Sequence, residues 1–204
     1  IDLVQAMIRV AAGEPLGLRQ QDIELRGHAI EARIYAEDPK QGFLPSPGRL
    51  SVFRAPTGPG LRVDAGVEAG AEVTVHYDAL LAKLVACADT RDAALARLEA
   101  GLADFAVAGV RTSIPFQRWL LRQEAFRTGR VDIGFVERSW PKGGVEPLDP
   151  SLRPLAEAAA RSALGASVRA PAAGPAAAVT VRAKVVDVLI AGELFSFSRE
   201  ALDS

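Results

Sequence analysis

The stretch GHAIEARIYAEDP, residues 27–39, alternates Ile30, Ala32, Ile34 and Ala36 with Glu31, Arg33 and Tyr35. A period of two is the pattern of a strand with one buried face. Glu31 and Arg33 then stand side by side on the other face of the pleat. That face is either solvated charge, which is ordinary on a strand, or an anion-binding arginine oriented by carboxylates. A guanidinium keeps its charge at any working pH and offers a planar fork of donors.

Outward from this stretch, the pattern predicts a strand over 23–36 followed by a loop, because Pro39, Gly42, Pro45, Pro47 and Gly48 forbid regular pairing. Before it, Leu3, Val4, Met7, Ile8 and Ala11 recur at helical spacing over 2–12, with Asp2 as cap and Gly13 and Pro15 as stop. After it, RLSVFRAP and GLRVDAGV read as two strands joined by a hairpin-like turn at PTGPG, and EVTVHYD and LLAKLVACA as further extended segments. From Thr90 the period changes to that of a helix through Leu95, Leu98, Leu102 and Phe105. A second helix is predicted from Ser113, with Pro115 in its first turn, to the Thr128–Gly129 stop. The fold class expected is α+β, a mainly antiparallel sheet with flanking helices.

Residues 1–140 form the expected body. Residues 141–177 read as a linker with a short helix over SLRPLAEAAARSAL and an Ala/Pro-rich run. Residues 178–204 alternate around Ala191–Gly192 and read as a hairpin. A lone hairpin is marginal, so it either packs on the body or begins a further linking domain.

The chain has 204 residues, 49% of them hydrophobic, with 24 basic and 25 acidic side chains. That size allows one compact core with extensions, and the balanced charge gives no footprint for nucleic acid or a membrane surface. No apolar run is long enough to span a bilayer. A single cysteine, Cys87, excludes an internal disulfide, and with only two histidines a structural zinc site is not expected. The chain opens on Ile1, directly in an amphipathic pattern and without a signal-peptide pattern. The expectation is part of a longer, cytoplasmic protein.

No glycine-rich phosphate loop and no nucleophile elbow is present, so the residues alone describe a non-catalytic domain. Three charged side chains keep two meanings each. Asp78 in HYDALLAKL is a turn aspartate or a bidentate partner for an arginine. Arg62 in GPGLRVD is a surface arginine or an interface anchor. Arg33 is described above. His28 and His76 read as structural, and Cys87, in an apolar run, as buried and inert.

The order of seven stretches resembles the C-terminal domain of biotin carboxylase: IDLVQAMIRVAAGEPL, RGHAIEARIYAEDP, FLPSPGRL, RVDAGVEAG, YDALLAKL, GVRTSIPF and FRTGRVDIGFVE. This is the ATP-grasp component of acetyl-CoA, propionyl-CoA, methylcrotonyl-CoA and pyruvate carboxylases, and the resemblance covers residues 1–140. It implies ligase chemistry in which ATP and bicarbonate give carboxyphosphate, which then carboxylates biotin on a carrier domain. By resemblance, Arg33 touches bicarbonate and the ureido oxygen of biotin, and Asp78 helps hold that arginine. Arg62 lies at the family's dimer interface, and Ile133 packs on the adenine of ATP.

The departures from the family pattern are as informative. The nucleotide-gripping lysine, the carboxylates that bind Mg and the acid–base glutamate precede this segment in the family. Phosphoryl transfer needs such groups, so the segment alone is expected to be inactive. The family's carrier lysine sits between two methionines, whereas Met7 is the single methionine here. Ser113 and Gly134 stand where relatives often carry asparagine and a polar side chain, and they bear on a helix cap and the edge of the adenine pocket. The partners implied are the ATP-grasp domain of the same protein, a biotin carrier domain, a carboxyltransferase subunit and a second copy. Two alternatives remain open: a non-catalytic dimerisation or interaction module from a truncated carboxylase, and the C-terminal domain of another ATP-grasp ligase.

Overall fold

The computed structural model describes residues 1–145, 153–154, 156–157, 160–161, 177–181, 185–190 and 193–198. Helix α1 (Leu3–Ala11) starts where the Asp2 carboxylate accepts the Gln5 backbone N–H at 3.0 Å. Strand β1 (His28–Tyr35) and its short continuation β2 (Glu37–Asp38) lead into the proline-rich loop, where β3 (Leu44–Pro45) folds back on β2. Strands β4 (Gly48–Arg49), β5 (Val52–Arg54), β6 (Leu61–Ala65), β7 (Glu72–Val73) and β8 (Leu80–Ala88) follow. The order β1-β8-β6 makes a three-stranded antiparallel sheet, with Arg33 opposite Lys83 and Lys83 opposite Asp64.

Alternation divides this sheet into two faces. Ala32, Ile34, Ala82, Leu84 and Ala86 are buried on the inner one. Helix α2 (Arg91–Asp104) covers them with Ala94, Leu95, Leu98 and Leu102. Thr90 caps it, its hydroxyl accepting the Ala93 N–H at 3.2 Å. Burial of this kind stabilises by roughly 1.5–3 kcal/mol per large aliphatic side chain, so the α2–sheet layer is the centre of the core. Strand β9 (Ala106–Ala108) pairs with β5, and Phe105 packs edge-on against Phe53, ring centroids 5.5 Å apart. Helices α3 (Ile114–Leu121), α4 (Glu124–Arg127) and α5 (Phe135–Ser139) close the end of the body. There Phe43, Phe116, Trp119 and Trp140 interlock, with Trp119 and Trp140 centroids 4.9 Å apart. The Trp140 indole N–H donates to the Pro39 carbonyl at 3.2 Å.

An α+β arrangement of antiparallel sheets with flanking helices is therefore what the chain adopts. Several local expectations differ from it. Residues 23–27 are not strand, because pairing ends at His28 opposite Ala88, the last residue of β8. RLSVFRAP and GLRVDAGV do not pair with each other: β5 joins β9 and β6 joins β8. The PTGPG segment is a crossing between sheets, since β5 before it pairs with β9 and β6 after it pairs with β8. Only Glu72–Val73 of EVTVHYD is strand, because its partner β4 is two residues long.

The helix expected over 113–128 is two helices. Gln123 is extended at ψ 124°, and its amide donates to the Trp119 carbonyl at 3.0 Å to end the first. Cys87 is exposed rather than buried, because β8 parity places it on the outer face. The expected hairpin is two of three strands in an antiparallel meander, β10 (Ala177–Val181), β11 (Val185–Ile190) and β12 (Glu193–Ser198). Ile190 stands opposite Glu193 across the two-residue connection, which itself lies outside the described residues. Strands β10 and β11 approach β9. Of the helix expected over 151–164, residues 153–154, 156–157 and 160–161 are described and helical, and the Ala/Pro-rich run lies outside the described residues.

Candidate functional site

The outer face of the β1-β8-β6 sheet carries Glu31, Arg33 and Tyr35 on β1, Lys83 on β8, and Arg62 and Asp64 on β6. Arg33 is about half exposed, at 53% of its side chain. It leans along its own strand. Its Nη1 donates to the Tyr35 hydroxyl at 2.9 Å, and Cζ stands 5.9 Å from the Tyr35 ring centroid. Glu31 pairs with its Nε at 3.6 Å, a loose contact at the surface. An exposed pair of this kind contributes little to stability. The guanidinium is held by the sheet and its neighbours yet keeps donors free for a ligand.

Arg33 is placed by more than β8. Ser113, at the start of α3, is 3% exposed. Its hydroxyl accepts the Tyr35 N–H at 3.0 Å and donates to the Arg33 carbonyl at 3.1 Å. The Ser113 N–H donates to the Tyr35 carbonyl at 3.0 Å, and the Gln117 amide to the Arg33 carbonyl at 3.3 Å. Sequence reading placed Ser113 at a helix cap. Its hydroxyl makes no cap bond because it is spent on β1. A serine before proline with no glutamate or glutamine in the third helical position was the available signal.

Asp78 does not meet Arg33 as a salt-bridge partner. Its carboxylate accepts the Leu80 N–H at 2.8 Å and forms the turn that opens β8. It acts instead on Glu37 at the same end of the sheet. Burial first, and then the negative charge of Asp78, push the Glu37 carboxyl above its usual range. The sign follows from linkage. The native chain holds the Glu37 proton to higher pH than the unfolded chain, so stability falls as pH rises between the two pKa values. Glu37→Gln removes this penalty. Urea unfolding at pH 7 is expected to show the variant more stable than the parent, and at pH 3 the two equal. A variant advantage that persists unchanged at pH 3 contradicts this electrostatic origin.

Arg62 is exposed and paired with Asp64 at 3.2 Å on the same strand. Ile133 stands fully exposed on a turn held by three hydrogen bonds to the Asp132 carboxylate. Both Asp132 oxygens accept from Arg138 at 2.8 Å, and one also accepts the Gly134 N–H at 2.9 Å. The Arg138 guanidinium foremost holds the Asp132 carboxyl below its usual range. The turn thus presents an aliphatic tip that nothing in the described chain covers. Sequence reading identified Ile133 but not the Asp132–Arg138 clamp beneath it. His28 and His76 are exposed, and among the described residues no three His, Cys, Asp or Glu side chains gather as a metal site. Among the described residues no helix is long and apolar enough to cross a membrane.

Helix α1 leaves Leu3, Val4, Met7 and Ile8 each more than 60% exposed. Together they form a contiguous exposed apolar face along the helix.

Comparison with known proteins places this geometry. The family described as biotin carboxylase C-terminal domain matches residues 31–138, more than half of the chain. The biotin carboxylase of Haemophilus influenzae is 42% identical over 138 residues, covering 68% of this chain and 31% of the relative. The propionyl-CoA carboxylase alpha chain of Ruegeria pomeroyi is 39% identical over 191 residues, covering 83% of this chain and 28% of its own length. The biotin carboxylase domain of the Hydrogenobacter thermophilus 2-oxoglutarate carboxylase, solved with MgADP, ADP and bicarbonate, superposes at a TM-score of 0.64 and 39% identity. The superposition covers 68% of this chain and 30% of that one. The chain therefore spans under a third of these relatives, and what it shares with them is the segment carrying Arg33, Asp78, Arg62 and Ile133. By sequence and by fold it belongs to the biotin carboxylase C-terminal domain family.

Proposed function

We propose that this chain completes the active site of a biotin carboxylase within an acyl-CoA carboxylase. In that enzyme ATP and bicarbonate drive carboxylation of biotin carried on another domain. The observation that carries the reading is Arg33, half exposed on the outer face of β1 and only loosely paired. A fixed guanidinium with free donors suits a bicarbonate or the ureido oxygen of biotin as negative charge grows there. Asp78, whose second carboxylate oxygen has no partner among the described residues, is assigned to steering Arg33 once the cavity is complete. Ile133 is assigned to the adenine face of ATP, and its clamped, uncovered position suits that contact. Arg62 is assigned to a homodimer surface.

ATP supplies the phosphoryl group, and Mg is assigned to residues of the ATP-grasp domain, since the described side chains offer no donor cluster for it. The apolar face of α1 is assigned to contact with that domain. The match to the propionyl-CoA carboxylase alpha chain covers more than the body alone, which supports an acyl-CoA carboxylase subunit. Carrier and carboxyltransferase partners and a cytoplasmic location are assigned on that reading.

The test compares residues 1–204 with the natural full-length polypeptide. Biotin-dependent phosphate release from ATP in bicarbonate is expected from the full-length protein and absent from the segment. A full-length protein with neither ATP turnover nor biotin carboxylation overturns the reading in favour of an interaction module.

A further inference from the structure

Among the described residues strand β1 is an edge of its sheet, with β8 on one side only. In an antiparallel edge strand every second residue turns its N–H and C=O away from the partner. Arg33 and Tyr35 are the residues whose groups turn outward here, and Ser113 and Gln117 take them up. The register of β1 on β8 also slips between Ile34 and Tyr35. Past that slip Tyr35 still stands opposite Leu80, but the local ladder is irregular. On the open side the Ser113 bracket fixes the backbone of Arg33 and Tyr35.

We propose that Ser113 is a positioning residue for Arg33: it replaces the missing strand on the open edge of β1 and so sets the direction in which the guanidinium points. The inference rests on the reading that Arg33 serves biotin carboxylation. A hydroxyl suits the place because it accepts from Tyr35 and donates to Arg33 at once. Alanine can do neither: it takes the Ser113 acceptor from the Tyr35 N–H and leaves the Arg33 carbonyl to the Gln117 amide alone, in a nearly closed space. An asparagine side chain has both a donor and an acceptor and can restore both bonds.

The experiment uses the full-length enzyme with free biotin, ATP and bicarbonate. Ser113→Ala is expected to lower kcat about ten- to hundredfold, the usual scale for a misaimed group, while the KM for ATP stays within about twofold of the parent. Ser113→Asn is expected to recover most of the rate. A purely structural loss lowers melting temperature and weakens ATP binding as well, and the KM readout separates the two. If Ser113→Ala does not fold, Gln117→Ala removes the half-buried second donor to the same carbonyl and is expected to lower kcat about threefold. Placed on an Arg33→Ala background, either change is expected to add less than about twofold, because both act through one side chain. If Arg33→Ala is inactive but Ser113→Ala or Gln117→Ala turns over like the parent, the positioning role is overturned and the Arg33 reading stands. If Arg33→Ala itself turns over normally, the Arg33 reading falls.

Discussion

Replacing Arg33 with alanine in the intact carboxylase is expected to lower kcat for biotin carboxylation by about 10²–10³, with the KM for ATP within about twofold. That rate factor is what one preorganised donor contributes to a developing oxyanion. The split between the two constants follows from geometry. Arg33 stands on the outer face of the β1-β8-β6 sheet, while Ile133 is presented from the turn before α5, so the two contacts belong to different elements. The loss has no folding component of consequence. The guanidinium is half exposed, its pair with Glu31 is 3.6 Å long, and its other partner is the Tyr35 hydroxyl of the same strand. Arg33→Lys is expected to restore only part of the rate, because an ammonium keeps the charge but not the planar fork. Steady-state kinetics with free biotin measures both constants for each variant. Equal loss of ATP affinity and carboxylation rate removes Arg33 from the role assigned to it.

What sequence revealed and what it hid divide along one physical line. The alternation of 27–39 and the helical period after Thr90 were legible because each reports on a single buried face. So β1 and α2, each with its buried face, follow from local pattern. Strand partners were not legible in the same way. RLSVFRAP and GLRVDAGV look like a hairpin because a Gly/Pro turn joins them, yet Phe53 buries on Phe105 and β5 pairs with β9. Strand β9 itself, three buried residues long, is too short to show any period.

The site divides likewise. Arg33, Asp78 and Arg62 stand out from the residues with two meanings each, and motif resemblance gives them, and Ile133, an expected role. Ser113 was legible only as a cap position, and neither its bonds to β1 nor the Asp132–Arg138 clamp was, because each of these bonds crosses from one element or turn to another. The position of Asp78 shows the converse limit. A motif carries a residue's place in the chain but not its partner, and the partner here is the Leu80 amide.

The largest effect expected on stability comes from Gly109→Ala, at about 3–5 kcal/mol out of the roughly 5–15 that hold a domain of this size. Gly109 follows β9 with φ +104°, a conformation that costs an L side chain roughly 1–2 kcal/mol on its own. Space is the larger cost. A Cβ built there would lie 1.9 Å from the Arg49 carbonyl oxygen and 3.0 Å from the Ser51 nitrogen, both backbone atoms. Relief requires the two segments to part, and they are tied. The Ser51 N–H donates to the Ala108 carbonyl at 2.9 Å, Leu50 between them is fully buried, and β5 begins one residue later. Parting them therefore breaks the β5–β9 pairing and opens the core beside Phe53 and Phe105. Gly129→Ala provides the control. Its φ is +72°, but a Cβ there meets nothing within 4 Å, so only the conformational cost of about 1 kcal/mol is expected. Urea unfolding of the two variants measures the difference directly. A Gly109→Ala loss no greater than that of Gly129→Ala means that the backbone of β9 does not approach the Arg49–Ser51 turn as closely as described, and the packing of β5 against β9 is then wrong.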